Sequence, residues 1–282
     1  MKNTTGKLEV GKPIDYETDS PCIASVLASR VAIFHATKKS IHGAEETWEA
    51  KTKWGSVAVR GRLTQTHRSV LDAIFAFPLA SSRYMENEKP GPAVFLISPY
   101  QIAKKAGVDP TKRKWLEDVI LEELRVASVV LKNEHGETLH AGGIVSEWHR
   151  DEKFEHRGIV GETSLIRITI SAAWMKLMDE TLGVRYAHLV EKIGKIHNGP
   201  TQALIRFLIT HNKANYKLKE ALTLIRAIRP EMTRQAVSKM MKDVVANKTA
   251  LLDDFGISVE QRNDVWFVQY SKHKDVMFTP AC

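Results

Sequence analysis

The chain has 282 residues, 43% hydrophobic and 26% charged, and Lys plus Arg exceed Asp plus Glu by 8. That length and composition suit a soluble protein with one large core or two smaller ones, and the basic excess favours a polyanionic partner. No apolar run reaches the roughly 20 residues needed to span a bilayer, no signal-peptide stretch opens the chain, and Cys22 and Cys282 form no C-x-x-C, so a cytoplasmic protein without membrane contact is expected.

Residues 1–29 are polar and turn-rich and read as a flexible N-terminal segment. Within it "GKLEVGKP" (6–13) has the spacing of a phosphate loop. However, Pro13 stands where a hydroxyl would hold Mg²⁺ and no strand precedes it, so no cofactor is expected. "TWEAKTKWGSVAVRG" (47–61) predicts two strands turning at Trp54-Gly55. Thr64 can cap a helix in which His67, Val70, Leu71, Ile74 and Phe75 follow helical spacing, and Pro78 ends it. "AVFLIS" (93–98) is a buried strand, and Pro99 opens a short helix closed by Gly107 and Pro110.

A longer helix is predicted from Thr111, burying Leu116, Val119, Ile120, Leu124 and Ala127, followed by two strands around His135-Gly136. "DEKFEHRG" (151–158) is a charged connector and a domain boundary. The second half repeats the order of elements without repeating residues. A strand at 164–170 leads to a short helix, a helix at 199–210 and another in "YKLKEALTLI". The turn "RAIRPE" then precedes a helix from Thr233, and two strands flank Arg262-Asn263-Asp264. The expected fold is α+β, two tandem winged helix-turn-helix domains over 30–158 and 159–282.

The helix from Thr233 carries the chemistry. At about 100° per residue Ala236, Val237, Met240, Met241 and Val244 share one arc. The opposite arc holds Arg234, Gln235, Ser238, Lys239 and Lys242. Between Arg226 and Lys248 six Lys/Arg, Arg226 and Arg229 among them, face only Glu231 and Asp243. In a helix-turn-helix the second helix enters the major groove. There Arg forks onto guanine, Gln pairs with adenine, and Ser or Lys meets base or phosphate. A carboxylate on that face would repel phosphate. The competing reading is a solvated helix in a basic protein.

In the first unit, Lys112, Arg113 and Lys114 open the long helix where its dipole also favours phosphate. Farther along, Asp118, Glu122 and Arg125 give a mixed face better suited to a protein contact than to base reading. Enzymatic signatures such as H-E-x-x-H and G-x-S-x-G are absent, so no enzyme is expected. The histidines of "HGETLH" (135–140) fall on a hairpin, and no metal is expected. Trp115, Trp174 and Trp266 read as core, and His67 and His211 as helix-face or capping residues.

The order of parts resembles the replication initiators of plasmids and related mobile elements, closest to those of broad-host-range plasmids. The likeness rests on "KTKWGSVAVRGRLTQTHRSVLDAIFAF", "YQIAKKAG" with "WLEDVILEELRVASV", "SLIRITIS", "TQALIRFLI" and "TRQAVSKMMKDVV", over about residues 30–270. The resemblance implies an ATP-independent initiator that binds double-stranded DNA at origin repeats and recruits host replication proteins, the replicative helicase and initiator. Its second domain would read the repeat, and its first would touch adjacent DNA or form a homodimer. The alternatives are a winged-helix transcriptional repressor with no replication role, a protein-interaction module, and an enzyme with an unsigned site.

Overall fold

The computed structural model describes residues 23–38, 46–86, 89–151 and 165–279, which form a mixed α+β fold with four antiparallel sheets among them. Residues 24–29, expected in the flexible segment, instead belong to strand β1 (Ala24–Ser25) and helix α1 (Val26–Arg30). The polar composition of the preceding twenty residues had hidden an apolar start: Ile23, Ala24 and Ala28 are each at most 2% exposed. The phosphate-loop-like stretch, both cysteines and the connector residues 152–158 lie outside the described residues.

The expected hairpin is present as β2 (Thr47–Thr52) and β3 (Gly55–Arg60), alternating outward polar with inward apolar side chains. Helix α2 (Gln65–Ala76) starts at Thr64, where the His67 ring completes a capping box through the Thr64 N–H. Strands β4 (Ala80–Glu86) and β5 (Lys89–Ile97) and helix α3 (Pro99–Lys105) follow. The long helix runs as α4 (Arg113–Trp115), a π-helical stretch (Leu116–Leu121) and α5 (Glu122–Val126). A π-bulge turns the following residues against the α-helical phase. Glu117 and Leu121 are fully buried, while Val119, expected inward, is only half-buried. Strands β6 (Ser128–Asn133) and β7 (Thr138–Gly142) form the expected second hairpin, and β8 (Val145–Asp151) follows.

Past the connector come β9 (Leu165–Ile170), α6 (Ala172–Glu180), β10 (Gly183–Arg185), α7 (Ala187–Lys195) and α8 (Gly199–Leu208). Then come β11 (Lys213–Lys217), α9 (Leu218–Leu224), α10 (Arg234–Ala246), α11 (Lys248–Phe255), β12 (Ile257–Arg262), β13 (Val265–Ser271) and β14 (Met277–Thr279). The sheets are ordered β1-β10-β14, β11-β13-β12, β2-β3-β6-β7 and β4-β5-β9-β8. The last crosses the connector: β9 lies between β5 and β8, in register Phe95↔Ile168 and Trp148↔Ile168. Its Ile166, Ile168 and Ile170 are wholly buried, so the core is continuous from one half to the other.

Helices join the halves as well. Helix α2 packs on α7 and α8, and each of α2 and α8 brings charge into that contact. Asp72 is 0% exposed. It is shared by Arg68 (Nε–Oδ1 2.7 Å) and by Arg206 of α8 (Nε–Oδ2 2.8 Å). The other Arg206 nitrogens donate to Gln65 Oε1 and Ser69 Oγ, both at 2.9 Å. Arg68 also donates to the Tyr186 hydroxyl at 3.2 Å, whose phenol is pushed up to about 12, chiefly by burial. Two guanidiniums thus share one carboxylate at the centre of the molecule.

Candidate nucleic-acid interface

Helix α10 begins where the sequence places it. Thr233 caps it, its hydroxyl accepting from the Ala236 N–H at 3.2 Å, after a turn in which Arg226 takes φ 58°. Arg234, Gln235, Ser238, Lys239 and Lys242 are all exposed. Among the described residues none of the five makes a side-chain hydrogen bond or ion pair, so their donors face solvent unspent. The opposite arc is less covered than its pattern implies. Val244 alone is fully buried, and Ala236, Val237, Met240 and Met241 are half-buried against α8 and α11.

Beside this helix stands the β12–β13 hairpin, closed by Asn263 (φ 46°) and Asp264 (φ 60°) in the left-handed region that a tight two-residue turn requires. Its Arg262 is engaged, with Nη2 2.7 Å from Glu260 and the guanidinium over the Phe267 ring. Helices α9 and α10 and strand β13 enclose a cavity of about 840 Å³, which includes Ile228, Met232, Val237, Met241, Val245 and Trp266. Lys219, Arg229, Arg234 and Lys242 line it too, and among the described residues no carboxylate does. The site is therefore an apolar-floored, positively charged groove with free donors along one side.

The other expected contacts fare differently. Arg226 is exposed, but its Nη2 donates to the Glu49 carbonyl of β2 at 3.3 Å, across the two halves. Arg229 pairs with Glu231 at 3.3 Å. In the first half Lys112 and Lys114 are exposed, while Arg113 donates through Nε to Glu117 Oε1 at 2.8 Å. Glu117 in turn accepts from Arg150 of β8 at 2.7 Å, because the π-helical stretch has rotated its carboxylate inward. Glu122 is taken by Arg125 at 2.8 Å, whose hydrogen bond holds that carboxyl below its ordinary value. Asp118 remains outward. The two helix faces thus differ in kind: α10 presents uncommitted donors, whereas Arg113, Glu117, Glu122, Glu123 and Arg125 of the first helix are all engaged in ion pairs.

Trp115 and the start of α9 depart from the sequence pattern. Trp115, taken for core, is 37% exposed at the edge of a second cavity. The "YKLKEALTLI" helix starts only at Leu218, since Tyr216 and Lys217 belong to β11. His67 caps the start of α2, and His211, beyond the end of α8, meets the Phe207 carbonyl through Nδ1, so both stand at capping positions.

No helix among the described residues is long and apolar enough to cross a membrane, and among them no group of three His, Cys, Asp or Glu could hold a metal. No protein-family model matches the chain, and neither a curated protein nor a solved structure is significantly similar to it.

Proposed function

We propose that the protein is a sequence-specific double-stranded DNA-binding replication initiator of a plasmid or mobile element, built from two tandem winged helix-turn-helix units. The observation that carries the DNA reading is the α10 face: five exposed donors without partners, on a helix flanked by a turn and a hairpin. The order α8, β11, α9, α10, β12, β13 supports the winged-helix reading, as does the β11-β13-β12 sheet, in which the last strand lies central. The first unit, α2, α3, α4–α5 and β6–β7, follows the same order of helices and hairpin with two departures, the first being the β4–β5 hairpin set between α2 and α3. The second is its third strand, β3, which lies ahead of α2 and pairs with β6.

In this reading Arg234, Gln235 and Ser238 meet base edges, and Lys239 and Lys242 meet phosphate. Lys112 and Lys114 reach adjacent DNA, and Arg226 and Arg229 shape the turn that presents α10. The protein acts in the cytoplasm without catalysis or nucleotide hydrolysis. It hands the opened origin to host replication proteins, and its first unit, through Asp118 and its neighbours, contacts a second copy. The role in replication rests on the resemblance in element order alone.

The test is a binding-site selection with the full chain, followed by titration at several salt concentrations and by maintenance of a plasmid carrying the selected repeats. Specific, salt-sensitive binding and chain-dependent maintenance are expected. Affinity indifferent to salt, or no binding, would overturn the DNA reading. Specific binding that represses a promoter but maintains no plasmid would make the protein a repressor.

A further inference from the structure

The second cavity, about 490 Å³, lies between the α3–α4 turn of the first half and α8 of the second. Here the halves meet backbone to backbone: Gly107 (φ 69°) lies so close to the Gly194 carbonyl that no side chain fits between them. The lining includes Lys38, Ser69, Asp109, Lys112, Trp115 and Gln202. A pocket of this size suits a small molecule rather than a chain segment.

Three of these residues leave a polar or an apolar group unmatched at the cavity. Gln202 is 1% exposed, and its Nε2 donates to the carbonyls of Ile193 (3.0 Å) and Ile196 (2.7 Å). That fixes the amide, yet its Oε1 has no partner, and an unmatched buried acceptor costs about 1–3 kcal/mol. Lys38 is half-buried with no ion pair among the described residues. Burial first, and then the Arg206 charge, pushes its ammonium below the ordinary lysine value. Asp72 is already divided between Arg68 and Arg206, and Asp109, the carboxylate of the lining, accepts from the Thr111 N–H and hydroxyl; Lys38 and Lys112 against Asp109 leave the lining one positive charge in excess. Trp115 leaves a large apolar surface in water beside Lys112.

We propose that this cavity binds a free mononucleotide. The base lies against the Trp115 indole with an exocyclic amine donating to Gln202 Oε1, and the phosphate lies between Lys38 and Lys112. Aromatic stacking, an amine donor and a compact anion answer the three unmet features together. Because the walls come from both halves, the ligand stabilises their present packing. This inference does not rest on the DNA reading, and its site is separate from the α10 groove.

Calorimetric titration of the full chain with dAMP tests it, beside deoxyadenosine, inorganic phosphate and the purine nucleotide lacking the exocyclic amine. Binding of dAMP is expected, with each of the other three at least about tenfold weaker. Lys112→Ala and Trp115→Ala should each weaken dAMP about tenfold or more, whereas Lys114→Ala, outside the lining, and Arg234→Ala, in the α10 groove, should leave it unchanged. Circular dichroism separates lost binding from lost folding. No heat with dAMP at millimolar concentration, or unaltered binding in the Lys112 and Trp115 variants, would overturn the proposal. Phosphate binding as tightly as dAMP would reduce the site to an anion site and overturn the nucleotide assignment. Loss of DNA binding in Arg234→Ala with dAMP binding retained would separate the two sites.

Discussion

Under the proposed DNA reading, individual side chains on α10 divide into readers and anchors. Arg234→Ala or Gln235→Ala should cost roughly 1–3 kcal/mol on the selected site and relax preference at one or two base pairs. Lys242→Ala should weaken all sequences equally and lower the salt slope by about 1. Arg113→Ala, by contrast, frees a buried carboxylate from one of its two guanidiniums, so it should lower thermal stability as well as affinity. Lys114→Ala should change affinity alone. At the centre of the molecule, Asp72→Ala leaves Arg68 and Arg206 buried and unmatched; a loss of about 3–5 kcal/mol in urea unfolding is expected. Acid acts elsewhere, most strongly at His211 and Glu191. The His211 imidazole is pushed down to about 4 by burial and then by Arg30, and its Nε2 faces the Tyr216 hydroxyl. The unfolded chain therefore binds this proton first, and stability falls as pH drops from about 6.5 to 4, with no further loss below. Glu191, held near 2 by hydrogen bonds from Lys105 and Lys195, loses its contribution in a lower window, from about 4.5 to 2. His211→Phe should make the upper window of a urea-midpoint-versus-pH curve shallower, His140 (also pushed down by burial) still contributing there, and leave the lower one in place.

Single elements show where sequence patterns suffice. Helix α10, its Thr233 cap and the Asn263-Asp264 turn were legible because each depends on residues within a few positions of one another. The β2–β3 hairpin was legible for the same reason. What was missed depends on distant partners. Strand β11, "KANYK", has alternation too weak to register and exists because β13 pairs with it from Lys213↔Ser271 to Lys217↔Phe267. Helix α7 was not expected, and the π-helical stretch carries no local signature, although it decides that Glu117 points inward. One signal was available: Asp72 and Arg206 are each the lone charge within an apolar helical run, which in a packed helix calls for a buried partner. Burial also sets dynamics. Residues Thr201–Leu208 of α8 are all buried, whereas α10 buries only Val244. In hydrogen–deuterium exchange α8 should open only with global unfolding, while α10 should exchange through local opening and become protected on the selected DNA. Equal protection of the two helices in the free protein would contradict this.

The whole molecule holds together across its midpoint. Strand β9 follows the connector in sequence but is hydrogen-bonded on both sides by strands that precede it. Residues 165–282 expressed alone should therefore expose Ile166, Ile168 and Ile170, leave Arg206 unpaired and fail to give a cooperative thermal transition, while the two halves co-expressed should associate. A sharp transition from the isolated second half would show that the shared sheet is dispensable. With both halves on DNA, log K should fall with log salt by about 0.9 for each phosphate contact, more steeply than for a chain altered at Lys112 and Lys114.

That laced midpoint fixes the distance and angle between α10 and the first long helix, as a ruler would. Two tandem units on a supple linker tolerate variable spacing between the segments of DNA they touch; a pair bound through one sheet does not. Inserting about five base pairs, roughly half of the ~10.5 of a helical turn, would carry one segment to the far side of the duplex. Such an insertion should abolish the first unit's share of the binding, and a full turn should not restore it, because the separation as well as the phase is set by β9.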